Sequence, residues 1–394
     1  MAENKPDVLL VGHLCLDIIP KFAVGGSSIA DILVPGKLID IDGMYISNGG
    51  SANNTGQAMH RLGFPVRIVG KLAEDFIGRA ILDNLRTLSE NLVGDMIISA
   101  TEGSSFTVIL NPPGIDRVFL HYAGTNASFV ADDLPEASLD GPRLAHFGYP
   151  PLMTSFFQNG GVETEKILRR LKGRGLTTSL DMARPDPDAP SGQVDWQSLL
   201  DRALPHTDIF LPSIDEIIFM YDRPLFDQAV AKGGNIANHI GGLATLRSLA
   251  KRLLSLGPAV VGFKLGDQGF YLLTTADRKR LADTGMAAPA NLEAWLGREL
   301  IVPCFQAKVV GTTGSGDATI GGFLGGLLKG LTPEAAAVMA VATGGESVEA
   351  LDSASGVQPW DSVCQRIAAG WPASPSSLIP ASWQRDPSGV YQPS

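Results

Sequence analysis

The alternation of strand-like and helix-like segments after about residue 140 constrains the fold of this chain more than any other feature of its sequence. Strand candidates there cover residues 143–147, 176–181, 209–211, 259–264 and 270–274. Helix candidates lie among and after them, at 163–172, 196–203, 215–221, 243–256, 315–329 and 333–350. This order of β and α elements predicts an α/β fold with a doubly wound, mostly parallel sheet. A buried strand predicted at 7–12 fits the same sheet.

The first third of the chain shows a second pattern, in which short apolar alternations between residues 17 and 47 are broken by Pro and Gly. Two more strand candidates, at 105–110 and 117–122, are joined by the turn sequence NPPG at 111–114. These segments predict a small sheet that stands off the main one. A helix at 51–62, a strand at 66–70 and a helix at 75–88 are expected between them.

We expect one domain over residues 1–370, in which about 17–47 and 101–124 form the small sheet. Residues 276–299 have the character of an inserted segment. The tail, 371–394, is rich in Pro and Ser, and we expect it to be irregular.

The composition excludes several classes of function. Asp plus Glu number 41 against 31 for Lys plus Arg, which gives a net charge of −10, and there is no dense basic run. Such a chain is a poor candidate for binding nucleic acid or an anionic membrane. No segment is apolar over the roughly 20 residues that a membrane span needs. Three widely spaced cysteines, without signal-peptide features, predict a cytoplasmic protein.

One Gly-rich junction near the C-terminal end carries the clearest chemical signal. The sequence GTTGSGD at 311–317 opens directly into an apolar helix. Because Gly314, Ser315 and Gly316 carry little or no side chain, the unpaired amides of the first turn stay open to an anion. A carboxylate there would repel an anion, so Asp317 needs a separate explanation. A general base that deprotonates a hydroxyl beside a bound phosphoryl group explains both features and predicts a kinase site.

Other interpretations of this junction have to be weighed. Four glycines in the following helix, at 321, 322, 325 and 326, indicate tight packing, and a Gly-rich helix start can serve packing alone. The junction is not a Walker A loop, since no Lys-Ser/Thr follows the glycines. A dehydrogenase on such a sheet would need the G-x-G-x-x-G spacing, which is absent here.

A second motif lies near the N-terminus, where Asp17 follows the first strand and the sequence NGGSANNTG at 48–56 leads into a helix. Paired glycines, Gly49 and Gly50, let a ligand approach the backbone closely. Asp17 and Asn54 can then hydrogen-bond to neighbouring hydroxyls of a sugar. Taken alone, the glycines fit an ordinary turn and Asn54 a helix start equally well.

Two segments of the second half fit a nucleotide and its metal. Glu216 begins a helix just after a strand, where a carboxylate can hold the water shell of Mg²⁺ or simply complement the helix dipole. The sequence KLGDQG, which contains Lys264, Gly266 and Gly269, joins two strands by a turn. A nucleotide phosphate or ribose can lie at this turn, although an ordinary β-turn has the same sequence character.

Together and in this order, these segments resemble the ribokinase (PfkB-type) family of carbohydrate kinases over roughly residues 7–370. The resemblance rests on Gly49, Gly50, Asn54, Arg61, Leu62, Gly63, Gly70, Lys71, Asp75, Gly78, Arg117, Gly124, Asn126, Glu216, Gly266, Gly269 and the sequence TGSGD at 313–317.

The resemblance implies phosphorylation of a hydroxymethyl group on a sugar or nucleoside, with ATP and Mg²⁺. Asp317 would be the base, and the amides of residues 314–316 the anion hole. Acceptor contacts are implied for Asp17, Gly49, Gly50, Asn54 and Asn126, nucleotide contacts for Lys264, Gly266, Gly269 and Thr313, and a magnesium role for Glu216. The small sheet becomes a lid over the acceptor, and because many relatives dimerise through it we expect a homodimer.

Three positions depart from the family pattern. Gly311 stands where the family usually has an Asp that often helps to bind a monovalent cation or magnesium, so a potassium requirement is not carried over. Ser213 replaces the Asn of the Asn-x-x-Glu motif. Lys264 replaces a common Thr and adds a positive charge near the nucleotide. The base and the anion hole are retained, so we expect an active kinase.

The class of acceptor stays open. We place sugars and sugar derivatives first, because no clear aromatic clamp for a base is evident. Phe22, Tyr45, Phe119 and Tyr122 can nevertheless supply one, which keeps an adenosine-like nucleoside kinase as the alternative. A catalytically weak, sugar-binding regulatory protein on the same fold is the other alternative, motivated by the changes at 311 and 213.

Overall fold

The computed structural model describes residues 6–23, 25, 28–115 and 117–394 of the chain. Positions 24, 26, 27 and 116, which fall in the predicted small sheet, and residues 1–5 of the predicted domain lie outside the described residues. In chain order the strands are β1 (Val8–Gly12), β2 (Cys15–Phe22), β3 (Ile41–Gly49), β4 (Val66–Val69), β5 (Lys71–Ala73), β6 (Ile97–Ser99), β7 (Phe106–Leu110), β8 (Val118–Tyr122), β9 (Leu144–Gly148), β10 (Thr177–Asp181), β11 (Ile209–Phe210), β12 (Val260–Lys264), β13 (Phe270–Thr274), β14 (Glu299–Val302), β15 (Gln384–Arg385) and β16 (Tyr391–Gln392).

The helices follow the sequence prediction closely in the second half of the chain. They are α1 (Ile29–Ile32), α2 (Ser51–Arg61), α3 (Phe76–Arg86), α4 (Thr125–Ser128), α5 (Thr154–Phe157), α6 (Val162–Gly173), α7 (Trp196–Ala203), α8 (Ile214–Tyr221), α9 (Arg223–Lys232), α10 (Leu243–Ser255), α11 (Arg278–Ala282), α12 (Leu292–Trp295), α13 (Ser315–Leu328), α14 (Pro333–Ser347) and α15 (Trp360–Ala368). Among the described residues, no helix combines the length and the apolar character that crossing a membrane requires.

A ten-stranded sheet has the order β15-β16-β14-β13-β12-β11-β10-β9-β1-β4. Six neighbouring strands pair in parallel, in the order β4, β1, β9, β10, β11 and β12. Strands β13, β14, β16 and β15 extend the sheet by antiparallel pairs. In β1, Leu9 and Val11 belong to one hydrophobic core and Val8 and Leu10 to another, and all four are fully buried. Because successive side chains of a strand point to opposite faces, the sheet is covered on both sides. The predicted doubly wound, mostly parallel sheet is confirmed.

A separate sheet of four strands, in the order β3-β2-β7-β8, confirms the predicted small sheet. Strands β2 and β7 pair in parallel, and the outer pairs are antiparallel. Between β1 and β2 lie only His13 and Leu14. The small sheet therefore starts immediately beyond the carboxyl end of β1, the strand next to the β4 edge of the large sheet.

The glycines of α13 explain how closely this helix packs on its neighbours. A methyl group at Gly322 would lie 2.4 Å from the carbonyl oxygen of Met339 in α14. A methyl group at Gly321 would lie 3.3 Å from the side chain of Met59 in α2. The tight packing considered for these glycines is present. It does not compete with a site at the start of the helix, because it involves later turns of α13.

The C-terminal tail, expected to be irregular, contributes β15 and β16 to the edge of the large sheet. Its apolar residues Trp383 and Val390 are buried, and β16 pairs with β14 at Ile301. An uncovered β14 would present unpaired backbone groups, which the tail satisfies. The segment 276–299 forms α11 and α12 between β13 and β14 and buries Trp295.

Candidate active site

The carboxyl ends of the parallel strands bring together most of the chemically important side chains. Tyr149 directly follows β9, Asp181 is the last residue of β10, and Lys264 is the last residue of β12. The first turn of α13, with Asp317, lies against the same edge, since Tyr149 donates a hydrogen bond to Asp317. This edge of an open α/β sheet is where ligands bind.

Asp317 is buried and held by side chains from two other parts of the chain. Its Oδ2 atom accepts hydrogen bonds from Asn54 Nδ2 at 3.0 Å and from the Tyr149 hydroxyl at 2.9 Å. Its Oδ1 atom lies 3.5 Å from the Thr55 hydroxyl. The contact between Asn54 and Asp317 joins the two motifs that the sequence analysis singled out, although 263 residues separate them.

The surroundings of Asp317 act on its pKa in opposite directions. Burial raises the pKa of Asp317 above its usual value, whereas the charge of Lys264 and the hydrogen bonds from Asn54 and Tyr149 lower it. A carboxylate with a raised pKa accepts a proton more readily than an exposed one. The site therefore contains an oriented carboxylate suited to act as a base.

The first turn of α13 carries only small side chains beside Asp317, and the amide of Ser315 donates to the carbonyl oxygen of Thr312 at 3.4 Å. Gly314 is the N-cap residue, with φ of 75°, and a methyl group there would lie 2.2 Å from Cβ of Ser353. At Gly316 a methyl group would lie 3.3 Å from Cδ and 3.6 Å from Nζ of Lys264. Glycine is thus required at 314 by backbone conformation and space, and at 316 it keeps the helix start uncovered beside a lysine.

The paired glycines of the N-terminal motif lie against Asp17 and His13. A methyl group at Gly49 would lie 2.3 Å from Oδ2 of Asp17, and one at Gly50, whose φ is 92°, would lie 2.3 Å from the carbonyl oxygen of His13. Asp17 is buried, and burial raises the pKa of its carboxyl group to about 6. These glycines are therefore required by close approach, and they place a buried carboxylate next to the segment that leads to Asn54.

Two histidines that the sequence analysis did not single out, the buried His13 and the exposed His121, lie beside this segment. Nε2 of His13 is 3.4 Å from Nε2 of His121 in β8, whose Nδ1 is 3.0 Å from the hydroxyl of Thr107. Burial lowers the pKa of His13 well below its usual value, and partial desolvation of the ring also lowers the pKa of His121. Both rings are therefore expected to be neutral, so the small sheet contacts the core here without adding charge.

Asn126, which the family resemblance places near the acceptor, is engaged with the backbone. Its Nδ2 atom donates to the carbonyl oxygen of Leu14 at 2.9 Å, and its Oδ1 atom accepts from the amide of Leu14 at 3.3 Å. The side chain therefore fixes the connection between β1 and β2. A contact between Asn126 and an acceptor stays a prediction.

The small sheet also contacts the Gly-rich junction. Arg117 donates a hydrogen bond to the Thr313 hydroxyl at 2.7 Å and to the Thr312 hydroxyl at 3.0 Å. On β3, the Tyr45 hydroxyl donates to Asp352, in the loop after α14, at 2.5 Å. These contacts connect the small sheet to the loops around the start of α13. A role of the sheet as a lid stays a prediction.

The turn between β12 and β13 has a conformation that demands its glycines. Gly266 and Gly269 have φ of 61° and 103°, and a methyl group at Gly269 would lie 2.1 Å from the carbonyl oxygen of Val302. Asn235 Nδ2 donates to the carbonyl oxygen of Leu265 at 2.8 Å. The geometry alone is that of a constrained turn, so a nucleotide contact by these glycines stays a prediction.

Two members of the site, Tyr149 and Asp181, were missed by the sequence analysis. Asp181 ends a strand that was correctly predicted, so the rule applied to Glu216, a carboxylate beside a strand's carboxyl end, already indicated it. Tyr149 has a left-handed backbone conformation, with φ of 66°. No local pattern indicates that conformation for a tyrosine, because tertiary contacts impose it.

A comparison with known families agrees with this geometry. The model of the pfkB family of carbohydrate kinases matches residues 8–360. The chain belongs to this family. An uncharacterized sugar kinase of Archaeoglobus fulgidus is 25% identical over 272 residues, which cover 69% of this chain and 86% of that protein.

Solved structures of pfkB-type kinases share the fold. The ribokinase of Arabidopsis thaliana, complexed with ribose and ATP, has a TM-score of 0.66 at 17% sequence identity. The matched region covers 92% of this chain and 98% of the ribokinase chain. The nucleoside kinase of Methanocaldococcus jannaschii, an archaeal member of the ribokinase family, has a TM-score of 0.63 at 19% identity and covers 93% and 99%. The ribokinase-like fold predicted from the sequence is confirmed.

The departure at Gly311 has a structural counterpart in this pfkB-family chain. A methyl group at Gly311 would lie 2.8 Å from the carbonyl oxygen of Ala350 and 3.0 Å from that of Leu351. The amide of Gly311 donates to the carbonyl oxygen of Val348 at 3.2 Å. The loop is therefore closed against the end of α14, and a longer side chain at 311 requires these carbonyls to move.

Glu216 has the geometry of a helix cap. Its Oε2 atom accepts a hydrogen bond from the amide of Ser213 at 2.7 Å, and burial raises its pKa well above the usual value, with Lys264 acting in the opposite direction. The described residues contain no group of three or more His, Cys, Asp or Glu side chains able to hold a metal ion. Glu216 therefore fits Mg²⁺ only as a single ligand or a holder of its water shell, with nucleotide phosphates completing the set.

Proposed function

We propose that this pfkB-family protein is an ATP-dependent kinase that transfers the γ-phosphoryl group to a hydroxymethyl group of a sugar or sugar derivative. Asp317 is the general base, and the amides of residues 314–316 form the anion hole. Asp17, Gly49, Gly50 and Asn54 contact the acceptor. The nucleotide lies along Lys264, Gly266, Gly269 and Thr313.

The observation that carries this proposal is the hydrogen bond between Asn54 and Asp317 inside a buried site. Asn54 belongs to the motif assigned to the acceptor, and Asp317 to the helix start assigned to the phosphoryl group. An acceptor hydroxyl held by the first motif therefore lies next to a carboxylate oriented to take its proton.

In this mechanism the acceptor hydroxyl gives its proton to Asp317 as its oxygen attacks the γ-phosphorus atom. The bond between the γ-phosphorus and the oxygen that bridges it to the β-phosphate breaks, which releases ADP. The charge on the transferring group is stabilised by the amides at the start of α13 and by the positive end of its dipole. Contacts of Arg117 and Tyr45 with the surrounding loops hold the small sheet closed as a lid, which excludes water from the reaction.

Support for ATP comes from the Arabidopsis ribokinase, whose structure contains ribose and ATP. A bound magnesium ion would offset the negative charge of the nucleotide phosphates. Glu216 is the residue we assign to its water shell. A monovalent cation is not part of the proposal, because Gly311 offers no carboxylate to hold one.

The proposal is tested by Mg²⁺-dependent ADP release from ATP over a panel of pentoses, hexoses, sugar acids, sugar phosphates and nucleosides, each with and without potassium. Every acceptor that gives ADP is repeated with Asp317→Asn. We expect this substitution to lower kcat by about 10²–10⁴-fold, the usual contribution of a general base. Its melting temperature should not fall, because burial disfavours the ionised carboxylate that the substitution removes.

Other outcomes separate the alternatives. ADP release with nucleosides alone would assign the chain to the nucleoside kinases. The similarity to the M. jannaschii enzyme is the reason to consider this alternative. Binding of a sugar without any ADP release would favour a regulatory protein, for which Gly311 and Ser213 are the motive. An Asp317→Asn variant with full turnover contradicts the assignment of the base.

We also propose a cytoplasmic homodimer that associates through the small sheet. The cysteines Cys15, Cys304 and Cys364 are all unpaired, which suits a reducing compartment. Large apolar side chains are exposed on the two outer strands of this sheet, at Ile41, Met44, Tyr45 and Ile46 of β3 and at Phe119, Leu120 and Tyr122 of β8. A concentration of exposed apolar residues of this kind is typical of a protein interface.

A further inference from the structure

A buried ion pair lies beside the start of α13. Lys264 Nζ is 2.7 Å from Oδ1 of Asp181, and the two side chains are 10% and 0% exposed. Lys264 is the last residue of β12 and Asp181 the last of β10, two strands apart in the sheet. The pair therefore spans the floor of the crevice in which we place the phosphoryl transfer.

Stability does not account for this pair. Removing two charges from water is costly, and apolar side chains of similar size often stabilise a protein better. In the described structure, moreover, Oδ2 of Asp181 is buried and has no hydrogen-bond partner. Buried polar atoms are nearly always hydrogen-bonded, so an exception calls for a functional reason.

The position of the ammonium group supplies such a reason. A methyl group at Gly316 would lie 3.6 Å from Nζ of Lys264, so the ammonium is next to the amides assigned to the anion hole. A lysine carries its charge on a flexible stem, which lets it exchange one anionic partner for another. A phosphoryl group bound at the first turn of α13 lies within reach of this exchange.

We propose that Lys264 is a phosphate-binding catalytic residue whose ammonium group moves from Asp181 to the oxygens of the transferring phosphoryl group. Asp181 is its positioning residue, which holds the ammonium in place until the nucleotide arrives. Lys264 keeps all its protons throughout, since the acceptor's proton goes to Asp317. This inference rests on the proposed function, in which a phosphoryl group occupies the start of α13.

The pair also acts on the base. Three side chains donate hydrogen bonds to Asp317, namely Asn54 and Thr55 from α2 and Tyr149 after β9. Two charged groups interact with it, Asp181 from β10 and Lys264 from β12. Glu216 of α8 adds a further charge near Lys264 and Asp181. Lys264 is the positive charge that lowers the pKa of Asp317 in this set. The charge of Asp317 raises the pKa of Asp181. Because repulsion between two carboxylates is mutual, Asp181 also disfavours the ionisation of Asp317.

The test compares Lys264→Met, Lys264→Arg and Asp181→Asn with the wild type. For Lys264→Met we expect kcat to fall by about 10²–10³-fold, as on removal of one donor to a transition-state charge. We expect Lys264→Arg to recover part of this loss. The acidic limb of the kcat–pH profile should move to higher pH in Lys264→Met and to lower pH in Asp181→Asn, a pair of opposite shifts that a merely structural role would not produce.

A binding measurement makes the test independent of turnover. The titration uses the non-hydrolysable ATP analogue AMP-PNP with Mg²⁺ and is followed by calorimetry. Loss of a charged hydrogen bond predicts affinity about 10- to 100-fold weaker in Lys264→Met. If no acceptor yields ADP with the wild type, the proposed function fails, and this titration still decides whether Lys264 binds phosphate.

Lys172→Met is the matched control. Lys172 pairs with the buried Asp208, which also pairs with Arg280 and precedes β11 at the opposite end of the strands. We expect this control to lower the melting temperature and to leave kcat and AMP-PNP affinity unchanged. A Lys264→Met variant that loses only melting temperature, as the control does, and binds AMP-PNP like the wild type would overturn the proposal.

Discussion

At the scale of single residues, the chemistry proposed here depends on carboxylates that the fold has removed from water. Asp17, Asp181 and Asp317 are all buried, and burial raises the pKa of each. The neighbouring groups determine how far each pKa rises, because a hydrogen bond donated to a carboxylate favours its ionised form and so lowers its pKa. Two residue-scale predictions follow from these neighbours.

Tyr149 is expected to tune the base. Tyr149→Phe removes the hydroxyl that donates to Asp317 Oδ2 at 2.9 Å. Loss of this hydrogen bond leaves the carboxylate of Asp317 less firmly oriented, so kcat should fall roughly 10-fold. It also disfavours the ionised form, which raises the pKa of Asp317 and moves the acidic limb of the kcat–pH profile to higher pH. Steady-state kinetics over a pH series measures both effects. Tyr221→Phe is the control, since among the described residues that hydroxyl has no partner; equal effects of the two substitutions would exclude a specific role for Tyr149.

Asp17 is expected to make stability depend on pH. Its pKa is about 6 in the folded protein against an ordinary value of 3.8. The folded state thus holds this proton more tightly than the unfolded state, and stability falls as pH rises from about 4 to 6. The Asp17→Asn variant does not titrate at this position and avoids this loss of stability. The difference in the free energy of unfolding between the variant and the wild type should therefore grow, in favour of the variant, by up to about 3 kcal/mol across that pH range. Urea unfolding of the wild type and the variant at pH 4, 5, 6 and 7 measures this difference in the free energy of unfolding. A difference that stays the same at all four pH values contradicts the prediction.

At the scale of elements, α13 divides its glycines between two tasks. Gly314 and Gly316 keep the first turn open, whereas Gly322 and Gly326 allow α14 to approach closely. A single Gly-rich helix therefore serves both the site and the core. Substitution by alanine should separate the two tasks.

We expect Gly316→Ala to lower kcat and AMP-PNP affinity with little change in stability. The atoms nearest to its methyl group belong to the flexible Lys264 side chain, and the methyl group covers the proposed anion hole. Gly322→Ala should instead lower the free energy of unfolding by about 1–3 kcal/mol, because its methyl group is forced against the backbone of Met339. Urea unfolding and kinetics of both variants test the contrast. Gly173→Ala is the control, because among the described residues no atom beyond its chain neighbours and its own helix backbone lies within 4 Å of the added methyl group. A Gly316→Ala variant with normal kinetics would remove the case for the anion hole.

At the scale of the whole molecule, the small sheet has one role towards the core and another towards solvent. Towards the core, Arg117 and Tyr45 contact the loops around α13 and α14. Towards solvent, β3 and β8 expose the apolar residues on which we base the dimer. If both proposals hold, association through this sheet and closure over the acceptor are mechanically linked.

The dimer prediction is tested by charge. The side chains of Met44 and Leu120 are 56% and 54% exposed. Because the core of an interface excludes charged side chains, the double variant Met44→Asp/Leu120→Asp should be monomeric. Light scattering at a concentration where the wild type is dimeric measures this. Val230→Asp, at an exposed position on α9, controls for general effects of an added charge. A wild type that is monomeric at every concentration contradicts the prediction.

Local signals in the sequence determined much of this protein. Runs of β-branched and aliphatic residues, interrupted by glycine, were enough to predict the strands from β9 to β13, the main helices and the small sheet. The junction at 311–317 was enough to propose Asp317 as the base, since a Gly-rich helix start and a carboxylate in its first turn are local features. That role stays a prediction. The family followed from the order of such motifs along the chain.

Only the tertiary structure decided which of these residues meet. No local pattern brings Tyr149 to Asp317, pairs Lys264 with Asp181 or engages Asn126 with Leu14, because each contact depends on how separate strands and loops converge at one edge of the sheet. The strands in the tail have the same origin, since the edge of β14 offered backbone groups to pair with. Local sequence fixes which elements form, whereas contacts between distant elements depend on packing over the whole chain, and those contacts set the charges and the proton affinities of the site.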